Sequence, residues 1–135
     1  MTIIKNTCVY IFNKHGYLLM LKCSFSKQWM TAGGAIEPYE TPLNGMKREF
    51  KEETNHCFPT HCCTFFETRQ WKDTLVYLVM VNHRFPSVFE KTNETTAMRF
   101  IHYSKILLMS NIKHYVKKSF LELNLQSRME QILGR

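Results

Sequence analysis

Three glutamates near the middle of the chain require a helix if they are to act together. Glu49, Glu52 and Glu53 are spaced i, i+3 and i+4, so on a helix they fall within an arc of roughly 100°. Three carboxylates this close repel one another unless a cation lies between them. Hard divalent cations such as Mg²⁺ accept carboxylate oxygens and keep water and substrate phosphates as further ligands. The spacing therefore indicates a metal site for phosphate chemistry, although a solvated acidic helix face has the same spacing.

Local signals predict that this helix forms. Thr41 is a good N-cap residue, and Pro42 falls at the first helical position, where its missing N–H costs nothing. Leu43, Met46 and Phe50 recur at i, i+3 and i+7, which makes an apolar stripe about 100° around the helix from the acidic face. One face can pack against a core while its neighbour holds charge.

The residues around the glutamates form a longer spaced pattern. It runs from Gly34 to Glu40 and then to residues 48–53, which read R-E-F-K-E-E. The pattern resembles the Nudix box, in which Gly, Glu and R-E-(apolar)-x-E-E are separated by five and seven residues and followed by x-G-(aliphatic). The chain departs at the end, with Asn55 for the Gly and His56 for the aliphatic residue. Since Asn tolerates the left-handed conformation, we expect the turn to form, and we expect His56 to loosen the packing there.

The resemblance implies hydrolysis of a diphosphate linked to another moiety, by attack of water at phosphorus with Mg²⁺ or Mn²⁺ as the cofactor. The implied metal ligands are Glu49, Glu52, Glu53 and the carbonyl group of Gly33. The same glutamates are the candidate catalytic residues. The general base would be Glu49 or a glutamate in a loop outside the box, for which Glu94 is the candidate and could equally be a solvated loop residue.

Three other side chains are candidates for substrate binding. By the resemblance, Arg48 pairs with Glu40 or Glu49 and holds the preceding loop against the helix, and it is also a candidate substrate ligand. Trp29 could stack on a nucleobase or pack beneath the glycine loop. Lys117 belongs to a lysine-rich face near the C-terminus, which could contact a polyanion or simply face solvent.

Composition limits the organisation and the partners. With 135 residues and 44% hydrophobic residues, we expect a single domain over residues 1–135. The sequence contains neither a long apolar span nor a secretion signal, and its five cysteines are an odd number, so we expect free thiols and a cytoplasmic location without membrane partners. The net charge of +7 indicates a basic surface that would attract polyanions, although a basic pI alone does not require one.

Hydrophobic patterning predicts the scaffold. A hairpin, a short strand, a second hairpin and one further strand are predicted at residues 7–12 with 17–22, 29–32, 64–70 with 74–81, and 99–102. Ser104 is expected to cap a short helix over residues 105–109, and an amphipathic helix follows through Leu123. This order agrees with the α/β fold that the resemblance implies, a mixed β-sheet sandwiched between α-helices.

The sequence does not select one substrate. A nucleoside triphosphate, ADP-ribose, a dinucleoside polyphosphate, a diphosphoinositol polyphosphate and the cap of a capped RNA all fit the resemblance. The alternatives are a catalytically weak Nudix-fold module that binds a phosphorylated ligand or RNA, and a nucleic-acid-binding protein without catalysis. The oligomeric state also stays open, a homodimer included.

Overall fold

A mixed β-sheet forms the centre of the molecule. The computed structural model describes residues 3–86 and 88–135. Its strands are β1 (Asn6–Asn13), β2 (Tyr17–Cys23), β3 (Trp29–Met30), β4 (Ala32–Ala35), β5 (Cys63–Trp71), β6 (Thr74–Val81) and β7 (Thr95–His102). The helices are α1 (Pro42–Thr54), α2 (His114–Glu122) and α3 (Leu125–Ile132), with 3₁₀ helices at Thr60–Cys62 and Tyr103–Leu108.

Strand β1 is the central strand. It runs parallel to β6 along its full length, and β5 pairs antiparallel with β6. On its other edge β1 pairs with β4 in its first half and with β2 near its end, while β7 lies beyond β2. Both edges of β1 are thus paired, and successive residues from Cys8 to Phe12, whose side chains point to alternate faces of the sheet, are all buried, in keeping with their continuous apolar run.

Helix α1 begins and ends as the sequence predicts. The Oγ1 of Thr41 accepts a hydrogen bond from the N–H of Asn44 at 3.2 Å. At the other end Asn55 adopts the left-handed conformation, with φ 62° and ψ 18°, and its N–H donates to the carbonyl of Lys51. The apolar stripe is buried, since Met46 and Phe50 are almost inaccessible to solvent. Both predicted caps are therefore confirmed.

His56, at the position where the resembled pattern has an aliphatic residue, makes polar contacts at the corner that follows α1, and its effect on the packing there stays a prediction. The carbonyl of Val88 accepts a hydrogen bond from His56 Nε2 at 2.8 Å. The backbone N–H of His56 donates to Thr54 Oγ1 at 3.2 Å. A polar residue here ties the helix end to the loop before β7, where an aliphatic residue could only pack.

Two strands differ from their predicted bounds. The strand predicted over residues 29–32 is divided into β3 and β4, and β4 continues through Gly33 and Gly34 to pair with β1. Strand β7 begins at Thr95, four positions before the predicted start. Both differences come from pairing with distant strands, which local turn signals do not report.

The C-terminal part also differs from the prediction. The predicted short helix is a 3₁₀ helix, and the ring of His102 rather than Ser104 caps it by accepting from the Ser104 N–H. The amphipathic helix ends where the sequence predicts, since α2 spans His114–Glu122 and Leu123 is its C-cap. Asn124, with φ 53°, then turns the chain into α3, a helix that the sequence analysis did not predict.

The fold class is confirmed as a mixed sheet with flanking helices. Within the described residues, no helix is long and apolar enough to cross a membrane. The five cysteines are present as free thiols.

A buried tyrosine fastens α2 to the central strand, and its removal should weaken the fold. The hydroxyl of Tyr10 lies 2.7 Å from Ser119 Oγ and donates to the Val116 carbonyl at 3.1 Å. We expect Tyr10→Phe to lower the free energy of unfolding by about 1 kcal/mol in urea denaturation, because these buried groups lose a partner. Tyr39→Phe is the control, since Tyr39 is fully exposed and should change nothing; equal effects would contradict the assignment.

Candidate active site

The backbone of β4 and a buried glutamate of α1 form the inner part of the site. The N–H of Gly33 donates to Glu53 Oε1 at 2.9 Å, and Glu53 is only 5% exposed. Burial raises the pKa of Glu53 to about 8, and repulsion from Glu49 and Glu94 acts in the same direction, against the Gly33 N–H and Lys113. A carboxylate is thus held where a charge is costly without a nearby cation.

Three more carboxylates meet beside it. Glu49, Glu52 and Glu94 each offer an oxygen atom, and these atoms lie within 4.8 Å of one another. Oxygens that share a divalent cation at about 2.0–2.6 Å must lie within about 5 Å of each other. Burial also raises the pKa of Glu49. The donor set and its spacing therefore fit Mg²⁺ or Mn²⁺, and the loop candidate Glu94 belongs to the same group as the helical glutamates.

Gly34 gives the Glu49 carboxylate its room. A Cβ atom at this position would lie 2.6 Å from both Cδ and Oε1 of Glu49, which is closer than real Cβ contacts come. The neighbouring Gly33 is equally constrained, because a Cβ there would lie 2.2 Å from the Thr7 carbonyl oxygen of β1. The two glycines therefore allow β4 to pair with β1 and α1 to approach β4.

Arg48 connects the loop before α1 to the acidic cluster. Its Nε and Nη2 donate to the two carboxylate oxygens of Glu40 at 2.7 and 3.0 Å, and Nη2 also donates to the Ala35 carbonyl. Its Nη1 donates to Glu49 at 3.1 Å and to Glu52 at 3.2 Å. The predicted pairing is present with both partners, and the planar guanidinium offsets part of the negative charge.

A cavity of about 510 Å³ opens beside these groups. It is lined by Asn6, Thr7, Cys8, Cys23, Phe25, Met30, Gly33, Gly34, Glu49, Glu53, Trp71, Thr74, Glu94, Lys113 and Tyr115. This volume suits a small-molecule ligand. The sequence analysis missed four of these residues, which come from a loop, the end of β5 and the start of α2, away from the acidic segment along the chain: Phe25, Trp71, Lys113 and Tyr115.

None of the three predicted substrate-binding residues, Arg48, Trp29 and Lys117, is among the residues that line this cavity. Trp29 is 8% exposed, so it is packed rather than free to stack on a nucleobase. Lys22 Nζ and Arg99 Cζ lie 5.9 and 5.6 Å from the centre of its ring. Lys117 is half-buried in α2 and is not among the residues that line the cavity. Lys113, at the start of the same helix, is the lysine that faces the cavity.

Comparison with known proteins defines the family. A family model described as the NUDIX domain matches residues 3–122. The fold is similar to that of a C. elegans Ap4A hydrolase in a binary complex, at 17% identity and a TM-score of 0.69, covering 92% of this chain and 98% of that chain. It is also similar to RenU, a Nudix hydrolase from M. smegmatis, at 14% identity and a TM-score of 0.72, covering 95% and 88%. No curated protein sequence matches.

A third similar structure is an ADP-ribose pyrophosphatase from Streptococcus suis, at 16% identity and a TM-score of 0.62, covering 89% of this chain and 86% of that chain. At these identities the structures show the shared fold. The family model covers most of the chain, and it matches the segment that holds the acidic cluster. The chain therefore belongs to the NUDIX family of pyrophosphohydrolases.

The close approach of Gly34 to Glu49 can be tested directly. We expect Gly34→Ala to displace the Glu49 carboxylate and to lower kcat for pyrophosphate hydrolysis by at least about tenfold, which is 1.4 kcal/mol in the barrier. The melting temperature should change little, because the contact is with the end of a flexible side chain. In a double-mutant cycle, Gly34→Ala should cost little more once Glu49 is already alanine. Additive losses would show that Gly34 acts independently of Glu49.

Proposed function

We propose that this protein is a metal-dependent hydrolase that cleaves the pyrophosphate bond of a nucleoside diphosphate linked to another moiety. The observation that carries the proposal is the convergence of the Glu49, Glu52 and Glu94 oxygens within 4.8 Å. They lie beside the buried Glu53 and an open cavity. A protein that only binds its ligand has no physical need for carboxylates that repel one another.

The proposed metal ligands are Glu49, Glu52 and Glu94, with Glu53 and the Gly33 carbonyl as the further ligands that the sequence suggested. Mg²⁺ or Mn²⁺ bound there would supply charge stabilisation at the phosphate oxygens and acidify the attacking water. The hydrogen bond that the Gly33 N–H donates to Oε1 orients the Glu53 carboxylate. The other carboxylate oxygen, Oε2, does not take part in that bond. Because Glu53 lies next to Glu49, the two carboxylates line the same part of the site.

The proposed general base is Glu49 or Glu94, which takes the proton of the attacking water. These residues come from different elements, α1 and the segment just before β7, and their carboxylates meet in the same acidic cluster. Arg48 holds Glu49 in place through its 3.1 Å hydrogen bond. A fixed base needs no rearrangement before it accepts the proton.

The cavity favours a nucleotide among the substrate classes considered. Lys113 brings a cation to the cavity wall, where it is suited to a substrate phosphate. Phe25 is 84% exposed although it lines the cavity, and Trp71 lines it as well. The exposed ring of Phe25 suits a nucleobase, which stacks on it, better than it suits an inositol ring. We therefore rank nucleotide and capped-RNA substrates above diphosphoinositol polyphosphates.

The test is release of phosphate or nucleotide from a substrate panel by the wild type and by Glu53→Gln. The panel contains nucleoside triphosphates, ADP-ribose, dinucleoside polyphosphates, diphosphoinositol polyphosphates and capped RNA, each with Mg²⁺, Mn²⁺ or chelator. We expect hydrolysis of a nucleotide class that chelation abolishes and that Glu53→Gln lowers by at least about a hundredfold. The folded state of this variant should persist, because glutamine can still accept from Gly33.

Glu90→Gln is the control, since Glu90 is an exposed loop glutamate and its removal should leave turnover unchanged. Silence of the folded wild type across the whole panel would contradict hydrolysis and favour the binding module. Full activity of Glu53→Gln would instead show that the acidic helix is not the reaction centre.

A further inference from the structure

A second cavity lies at the other end of the parallel strand pair. It also has a volume of about 510 Å³, and it is bordered by Asn13 at the end of β1 and by Val81 at the end of β6. The first cavity is bordered by Asn6 and Thr74, which pair at the start of the same strands. Seven residues of extended strand separate the two ends by about 23 Å. The second cavity is therefore distinct from the proposed active site.

The polar side chains named here around the second cavity are hydrogen-bond donors that are either positively charged or neutral. Its lining includes Lys14, His15, His61 and His83, all of them exposed. Among the described residues that line it there is no aspartate or glutamate. This charge pattern is the reverse of the acidic cluster in the first cavity, and it suits an anion.

Two asparagines add oriented donors. Asn13 Oδ1 accepts from the backbone N–H groups of His15 and Tyr17 at 3.0 and 3.1 Å. Asn82 Oδ1 accepts from the N–H of Arg84 at 2.9 Å. Because these bonds use the amide oxygens, each asparagine is left with its NH₂ group as a donor. Both residues line the cavity, so its fixed polar groups can serve an acceptor such as a phosphate oxygen.

The remaining wall is apolar and partly aromatic. Phe85 and Phe100 line it with ring centroids 5.7 Å apart in an edge-to-face arrangement. Phe100 and the neighbouring Met80 are only half-buried, so they keep apolar surface that a ligand could cover. A flat ring packs well on such a surface. A cavity lined by both basic donors and aromatic side chains is the complement of a phosphate joined to a planar base.

We propose that this second cavity binds a nucleoside monophosphate. The phosphate lies among Lys14, His61 and the two asparagine amides, and the base covers Phe100 and Met80. This binding does not depend on the hydrolysis proposed above, because the second cavity shares no lining residue with the first.

The test is titration of AMP, inorganic phosphate and adenosine into the wild-type protein at constant ionic strength, with chelator present to remove metal-dependent binding at the first cavity. Binding is followed by the NMR signals of the histidine rings. We expect AMP to shift the signals of His15, His61 and His83. We expect phosphate and adenosine alone to bind at least about tenfold more weakly than AMP, since each makes only half of the contacts.

Paired variants locate the site. Lys14→Gln with His61→Gln should weaken AMP binding at least about tenfold, because charged hydrogen bonds are lost, while hydrolysis stays unchanged. Lys118→Gln with His114→Gln removes the same residue types from exposed positions of α2 and should change AMP binding less than about twofold. Unchanged affinity in the first pair, or phosphate that binds as tightly as AMP, would overturn the proposal.

Discussion

Repulsion among the carboxylates of the acidic cluster is the constraint on which the structure around α1 and β4 depends. Glu53 is buried and Glu49 is partly buried, and burial raises the pKa of both groups. A chain gains nothing in stability from such an arrangement unless cations compensate it. Arg48 provides one internal compensation through its bonds to Glu40, Glu49 and Glu52. We propose that a divalent cation at the remaining oxygens provides the rest of the compensation.

The local structure is adapted to the same constraint. Without side chains at positions 33 and 34, β4 can lie against β1 while α1 presents Glu49 and Glu53 to the strand. Thr41 and Asn55 fix the two ends of α1, so the rotation of the helix places these two carboxylates toward β4. Tyr10 of β1 forms hydrogen bonds to α2. The start of α2 places Lys113 and Tyr115 in the wall of the first cavity. Each of these contacts helps to hold a charged group in its place.

Sequence reasoning succeeds where the determinants are local. The caps of α1, the acidic spacing and the partners of Arg48 lie within about twenty residues, and their outcome follows from turn chemistry and helix geometry. It fails where strand pairing decides, as for the glycines of β4 and the early start of β7. Lys113 and Phe25 could not be assigned to the cavity from sequence, because their neighbours there come from distant strands. The placement of Trp29 had two open alternatives, and only the fold distinguishes packing from exposure.

The charge of the chain is distributed unevenly between its two cavities. The net charge of +7 coexists with a strongly acidic first cavity, whereas the second cavity contributes Lys14 to the positive surplus and adds three histidine rings that this charge counts as neutral. Opposite ends of the parallel pair β1 and β6 thus offer opposite electrostatic environments. Because the two cavities share no lining residue, a ligand in one does not occupy the contacts of the other.

The most direct measurement is Mn²⁺ binding by the wild type and by Glu49→Gln, Glu52→Gln and Glu90→Gln, followed by the electron paramagnetic resonance signal of free Mn²⁺. We expect the wild type and Glu90→Gln to bind the ion alike. We expect Glu49→Gln and Glu52→Gln to weaken binding by at least about tenfold, because each removes a ligand oxygen. Equal binding by all four proteins, or no saturable binding by the folded wild type, would contradict a metal site at the acidic helix.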